Sequence, residues 1–200
     1  MAAAGAAVMA LTGALVAGHT REEWLDRAVD NRIMAAPGHA GAAYAVAQLG
    51  SPVSVTVIAV ALFLACLLTR RLRGAWLVAV AAPAVGLSDV VLKPFIHRTY
   101  AGFLSFPSGH TMGAFSMATI AVVLLMGPLH PPVSRGVRGL LAAVAVLTGC
   151  AVALCLVVRR MHYFTDTLGG AALAISMVLV TALIIVAVAD RRGKPPPAQA

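Results

Sequence analysis

The strongest constraint on this chain is a succession of apolar stretches, each near the length that crosses a bilayer, separated by short polar or proline-containing breaks. A helix needs about 20 apolar residues to span a hydrocarbon core ~30 Å thick, where its backbone groups must be satisfied internally. Six such stretches are read at about 2–18, 52–69, 75–92, 109–127, 139–158 and 167–189. Composition agrees, since 60% of the 200 residues are hydrophobic and 11% charged, with a mean hydropathy of +0.92. A soluble domain carries about 25% charged residues. The expected fold class is therefore all-α, a polytopic membrane protein with a six-helix transmembrane bundle. It forms one domain, 1–190, followed by a basic, Pro-rich tail, 191–200, expected to be disordered. No positive residues precede the first stretch, which is read as a retained helix rather than a cleaved signal peptide.

The breaks carry the rest of the organisation. Thr20-Arg21-Glu22-Glu23 matches a capping box. The segment after it places Trp24, Leu25, Ala28, Val29 and Ile33 on one side, with Glu22, Arg27 and Asp30 elsewhere, as in a short helix lying in the membrane surface. Residues 35–50, broken by Pro37, Gly38, Gly41 and Gly50, either continue that interfacial segment or begin the second span. Pro83 predicts a kink in the third span, and a long loop is expected from Lys93 to Pro107. The net charge of +8 sits in short clusters between apolar runs, without the basic, aromatic-interleaved stripe of a nucleic-acid surface. Cys66, Cys150 and Cys155 all lie within apolar runs, with neither disulfide nor metal spacing. With both termini cytoplasmic, inner segments hold eight Lys/Arg and outer loops seven. Three of the outer seven lie among acidic residues and the other four are candidate ligand groups, so the positive-inside rule favours cytoplasmic ends.

Three clusters carry chemistry. In Thr99–Phe115, Ser108 is a good N-cap and Gly109 lets an anion approach the first free N–H groups of the following helix. His110 lies in its first turn. This is either a phosphate cradle with an acid/base histidine or an ordinary capped helix. Asp89 and Lys93 are four apart, either a plain interfacial ion pair or a carboxylate positioning an ammonium for an anion, with Arg98 five residues on. His97 is taken as surface. Arg159 and Arg160 precede His162, and Asp166 follows it by four, so the carboxylate can orient the ring and leave Nε2 as nucleophile or base. The alternative is a topological Arg pair beside an interfacial His. Gly169 and Gly170 are expected to let the last span pack closely.

Alternating topology puts these loops on one face. Two histidines, one oriented carboxylate, a helix N-terminus and up to four cations suit phosphoryl transfer, with no metal and no cofactor required. Lys93, Pro107-Ser108-Gly109-His110 and His162-Tyr163-Phe164-Thr165-Asp166 resemble the three signature motifs of the type 2 phosphatidic-acid phosphatase superfamily, over about 50–190. The resemblance implies a metal-independent membrane phosphatase acting on lipid phosphates or diphosphates. His162 would be the nucleophile, Asp166 its orienting partner and His110 the general acid, with Lys93, Ser108 and the Gly109 backbone holding phosphate. The family's motif arginines are displaced. Tyr100 and Ala101 stand where the first motif has Arg-Pro, and Cys155 and Leu156 where the third has Ser-Arg. Arg98, Arg159 and Arg160 are the available substitutes. Two rivals remain: an anionic-lipid binder or transporter that kept the pocket without turnover, and a haem-binding electron carrier with His110 and His162 as axial ligands.

Overall fold

The computed structural model describes residues 1–34, 40–127 and 131–192. Among them are eight helices: α1 (Ala2–Val16), α2 (Trp24–Met34), α3 (Ala40–Gln48), α4 (Pro52–Leu68), α5 (Leu72–Ile96), α6 (Gly109–Met126), α7 (Arg135–Val158) and α8 (Phe164–Arg192). α5 to α8 are each long and apolar enough to cross a membrane. α3 and α4 pass the same test only as a pair bent by 46°. With the shorter apolar α1, these make the six-helix transmembrane bundle. Residues 35–39, part of the segment whose role was left open, lie outside the described residues, as do 193–200 of the tail.

Local sequence sets the helix starts. Ser51, with Pro52 behind it, accepts from Ser54 N at 3.3 Å, and Ser134 accepts from Val137 N at 3.3 Å. Two expectations are corrected at the ends. The box at Thr20 does not start a helix, because α2 begins at Trp24, with Arg27 N bonded to Glu23 O at 2.9 Å. The loop expected from Lys93 begins at His97, because α5 runs through Pro94 to Ile96 and ends on His97 in the left-handed region, φ 53°. A two-residue hairpin follows, β1 (Thr99–Tyr100) against β2 (Phe103–Leu104). Its turn residues, Ala101 and Gly102, both have positive φ, as such hairpin turns require.

α6 is the centre of the bundle, packed against α5, α7 and α8. α1 packs on α8, α3 on α7, and α2 across α7 and α8. Small residues sit where helices meet, including Ala75, Ala81, Ala118 and Ala174, which lets the backbones approach closely. Large apolar side chains such as Leu68, Leu87, Leu147 and Leu183 point outward instead. That would be a liability in water and is the ordinary surface of a protein solvated by lipid.

Candidate functional site

The loop before α6 and the start of α8 are built as one unit. Ser108 N donates to Asp166 O at 3.0 Å. A Cβ on Gly170 would lie 2.8 Å from Ser108 O, and one on Gly169 would lie 2.4 Å from Cζ of the buried Phe106 ring. Glycine at both positions is what lets α8 reach this loop. Within the loop, Ser108 caps α6: its Oγ accepts from Thr111 N at 3.5 Å and from Thr111 Oγ1 at 3.1 Å. Ser108 is fully buried, so its hydroxyl acts as a cap and is not exposed to the cavity that the next residue lines.

That cavity, of about 850 Å³, lies among α4, α5 and α6, with His162 of the α7–α8 loop on its wall. Lys93, Asp89, Gly109, His110 and His162 meet there. The rest of its wall is mainly apolar, including Val55, Ala59, Phe63, Val78 and Val90. Lys93 Nζ is 3.1 Å from Asp89 Oδ2, the pairing expected from their spacing. Asp89 leans on the start of α6, since a Cβ on Gly109 would be 2.9 Å from Oδ2. Both imidazoles line this one cavity. His162 also borders a second, more polar cavity of about 430 Å³, with Glu22, Asp30, Asn31, Tyr100, Arg160 and Tyr163. Burial pushes the phenols of Tyr100 and Tyr163 up from their usual range.

The first turn of α8 places a carboxylate beside His162. Asp166 Oδ2 accepts from Tyr163 N at 3.2 Å, a capping-box contact, and lies 3.5 Å from His162 Nδ1. The next two free N–H groups of α8 are capped from α2: Phe164 N donates to Asp30 Oδ1 at 3.2 Å, and Thr165 N to Asp26 Oδ1 at 2.8 Å. Burial pushes the Asp30 carboxyl up to about 7, with the neighbouring Asp26 charge adding to it and the Phe164 N–H opposing.

None of the three candidate arginines lines the larger cavity. Arg98 is fully buried; Nη1 donates to Asp166 Oδ1 at 2.6 Å and to Thr165 Oγ1, and Nη2 to Asp26 Oδ2. Its guanidinium also stacks on the Tyr163 ring, 4.5 Å from the centroid. It is a clamp behind the site, and the expectation that it meets a phosphate is corrected. Arg159 lies over the Tyr44 ring of α3 at 4.6 Å and lines neither cavity. Arg160, with φ 55°, faces the second cavity. Sequence reasoning missed Asp26 altogether. The available signal was its i,i+4 spacing with Asp30, which puts both carboxylates on one face of α2.

The fold and this cavity together define a class: an integral membrane protein whose histidines converge at the ends of its helices. The particular family follows from comparison. The chain belongs to the PAP2 superfamily, whose family profile matches residues 90–189. No curated protein matches the sequence. The fold is similar to that of a solved structure, the first transmembrane PAP2-type phosphatidylglycerolphosphate phosphatase from Bacillus subtilis. The likeness has a TM-score of 0.78 at 20% identity, over 96% of this chain and 97% of that one.

Proposed function

We propose that the protein is a metal-independent lipid phosphate phosphatase working through a phosphohistidine on His162. The observation that carries the reading is that His110, His162 and Lys93 line one mainly apolar cavity. In this reading the lipid chain lies along α4 and α5, and its terminal phosphate sits against Lys93 and the first N–H groups of α6. His162 Nε2 attacks phosphorus while the P–O bond to the lipid alcohol breaks. His110 gives its proton to the leaving oxygen. Water then attacks the phosphohistidine, His110 takes a proton from that water, and inorganic phosphate leaves with His162 restored. Asp166 orients the His162 ring. The second cavity, bordered by His162 and polar side chains, offers water a way in.

Phosphatidylglycerophosphate, the substrate class named for the structural relative, leads the candidates. Phosphatidate, a prenyl diphosphate and a polyprenyl-phospho-sugar phosphate share its reacting group. The site is proposed to face outward, with both termini cytoplasmic. The test is phosphate release from those four lipids in detergent micelles. Wild type is expected to release phosphate from at least one of them with EDTA present, and His162→Ala, folded, to release none. Full activity in that variant would defeat the assignment.

One observation favours a second reading. Among the described residues lining the larger cavity, Lys93 is the one Lys or Arg, because Arg98, Arg159 and Arg160 are placed elsewhere. A protein that binds anionic lipid without turning it over needs no more than that. Saturable binding of those lipids with no phosphate released would favour it.

A further inference from the structure

Asp26 touches neither cavity, yet it is fully buried and both of its oxygens are engaged. Oδ1 accepts from Thr165 N at 2.8 Å; Oδ2 accepts from Thr165 Oγ1 at 3.0 Å and from Arg98 Nη2. The other arm of the same guanidinium holds Asp166 Oδ1 at 2.6 Å. We propose that Asp26, on the helix between the first two spans, is a positioning residue for His162, acting through Arg98 and Asp166. The inference rests on the phosphatase reading above.

Two physical arguments support it. The first is geometric. A guanidinium is planar and its fork is fixed, so seating one arm on Asp26 fixes the plane in which the other arm presents to Asp166. Asp26 also caps the second N–H of α8, which sets where that helix begins, and Asp166 and His162 lie within a turn of that point. The second is electrostatic. Arg98 alone would neutralise Asp166. With Asp26 as a second carboxylate on the same cation, the trio keeps one net negative charge next to His162. That charge stabilises the positive charge the ring acquires as Nε2 bonds to phosphorus.

Other charged or titratable groups face His162 as well. Lys93 and Asp89 come from α5, His110 from α6, Glu22 and Asp30 from the α2 region, and Tyr100, Arg160 and Tyr163 from the loops. A variant at Asp26 leaves these side chains unchanged, and of them Asp30 loses the neighbouring charge that helps raise its carboxyl. Asp26→Asn keeps the shape and leaves Arg98 paired with Asp166, so no buried charge is stranded.

The test compares wild type, Asp26→Asn and Arg98→Lys, purified in detergent, on whichever lipid phosphate wild type hydrolyses. Asp26→Asn is expected to lower kcat about tenfold with KM within about twofold. Arg98→Lys keeps the charge and loses the fork, so it too lowers kcat with KM within about twofold. The nitrogen NMR signals of the His162 imidazole, assigned by their absence in His162→Ala, are displaced in both variants, because the carboxylate beside the ring has lost its seat. A folded Asp26→Asn protein with wild-type kcat and wild-type imidazole signals overturns the proposal. If Asp26→Asn does not fold, a folded Arg98→Lys protein with wild-type kcat overturns it. Failure of the phosphatase reading looks different: wild type releases no phosphate, or His162→Ala keeps its activity. The imidazole NMR signals then still decide whether Asp26 acts on His162.

Discussion

Asp30 carries the clearest pH signature at the scale of single residues. It is 4% exposed and accepts from Phe164 N, and burial, then the charge of Asp26, hold its carboxyl at about 7. A carboxyl raised in the folded state keeps its proton where the unfolded chain has lost it. Its contribution to stability is therefore complete below about 4 and lost as pH rises through about 7. Asp30→Asn keeps an acceptor for Phe164 N and removes the titration. Its melting temperature in detergent, relative to wild type, is expected to rise between about pH 5 and about pH 8, either side of that titration. A difference that stays flat would contradict this account of Asp30. At this scale the sequence was informative wherever partners are close along the chain. Asp89 with Lys93, and His162 with Asp166, are both i,i+4 pairs, and Ser108 caps the helix that follows it. Arg98 was not legible in the same way. Its partners include Asp26, 72 residues away, and Asp166, 68 away, and a buried guanidinium settles where the carboxylates are. Arg159 settled on an aromatic ring of α3 for a related reason.

At the scale of elements, apolar length alone located the helices from α4 to α8, and the breaks fell within a few residues of expectation. Two elements hold more than their sequence disclosed. The amphipathic reading of α2 set Asp30 apart from the apolar residues and gave it no partner. In the structure Asp26 and Asp30 turn inward to cap α8, while Trp24 is 75% exposed. In a membrane protein the outside can be lipid, so an apolar face need not be the buried one. The hairpin at Thr99–Leu104 was read as open loop because two-residue strands leave no periodicity to see. The pair Gly169-Gly170 was read as a close-packing site, and the Phe106 ring shows why: it fills the space that a side chain on Gly169 would need. Gly169→Ala puts a methyl 2.4 Å from Cζ and 2.5 Å from Cε2 of that ring. Overpacking of this kind costs about 1–3 kcal/mol. A lowered melting temperature in detergent is expected for Gly169→Ala. Gly136→Ala, with no atom within 4 Å of the new methyl, should leave it nearly unchanged. Equal melting temperatures for the two variants would contradict the packing argument.

At the scale of the whole molecule, the bundle brings four separate stretches of chain to one place. α5 supplies Lys93 and Asp89, α6 supplies His110, the α7–α8 loop supplies His162, and α2 fixes the first turn of α8 from behind. The first three were legible because each stretch carries its own short motif. The contribution of α2 was not, because capping across helices leaves no spacing within either one. The apolar cavity beside these groups gives a lipid chain a place along α4 and α5, and the proposed chemistry turns on the group at its polar end. The central claim is that His162 takes the phosphoryl group. It is tested most directly by quenching turnover of a lipid labelled in its terminal phosphate under alkaline conditions, which preserve phosphohistidine, and mapping the labelled peptide. The account predicts label on His162, absent from His162→Ala. Steady release of phosphate with no label on His162, or with the label on His110 instead, would contradict it.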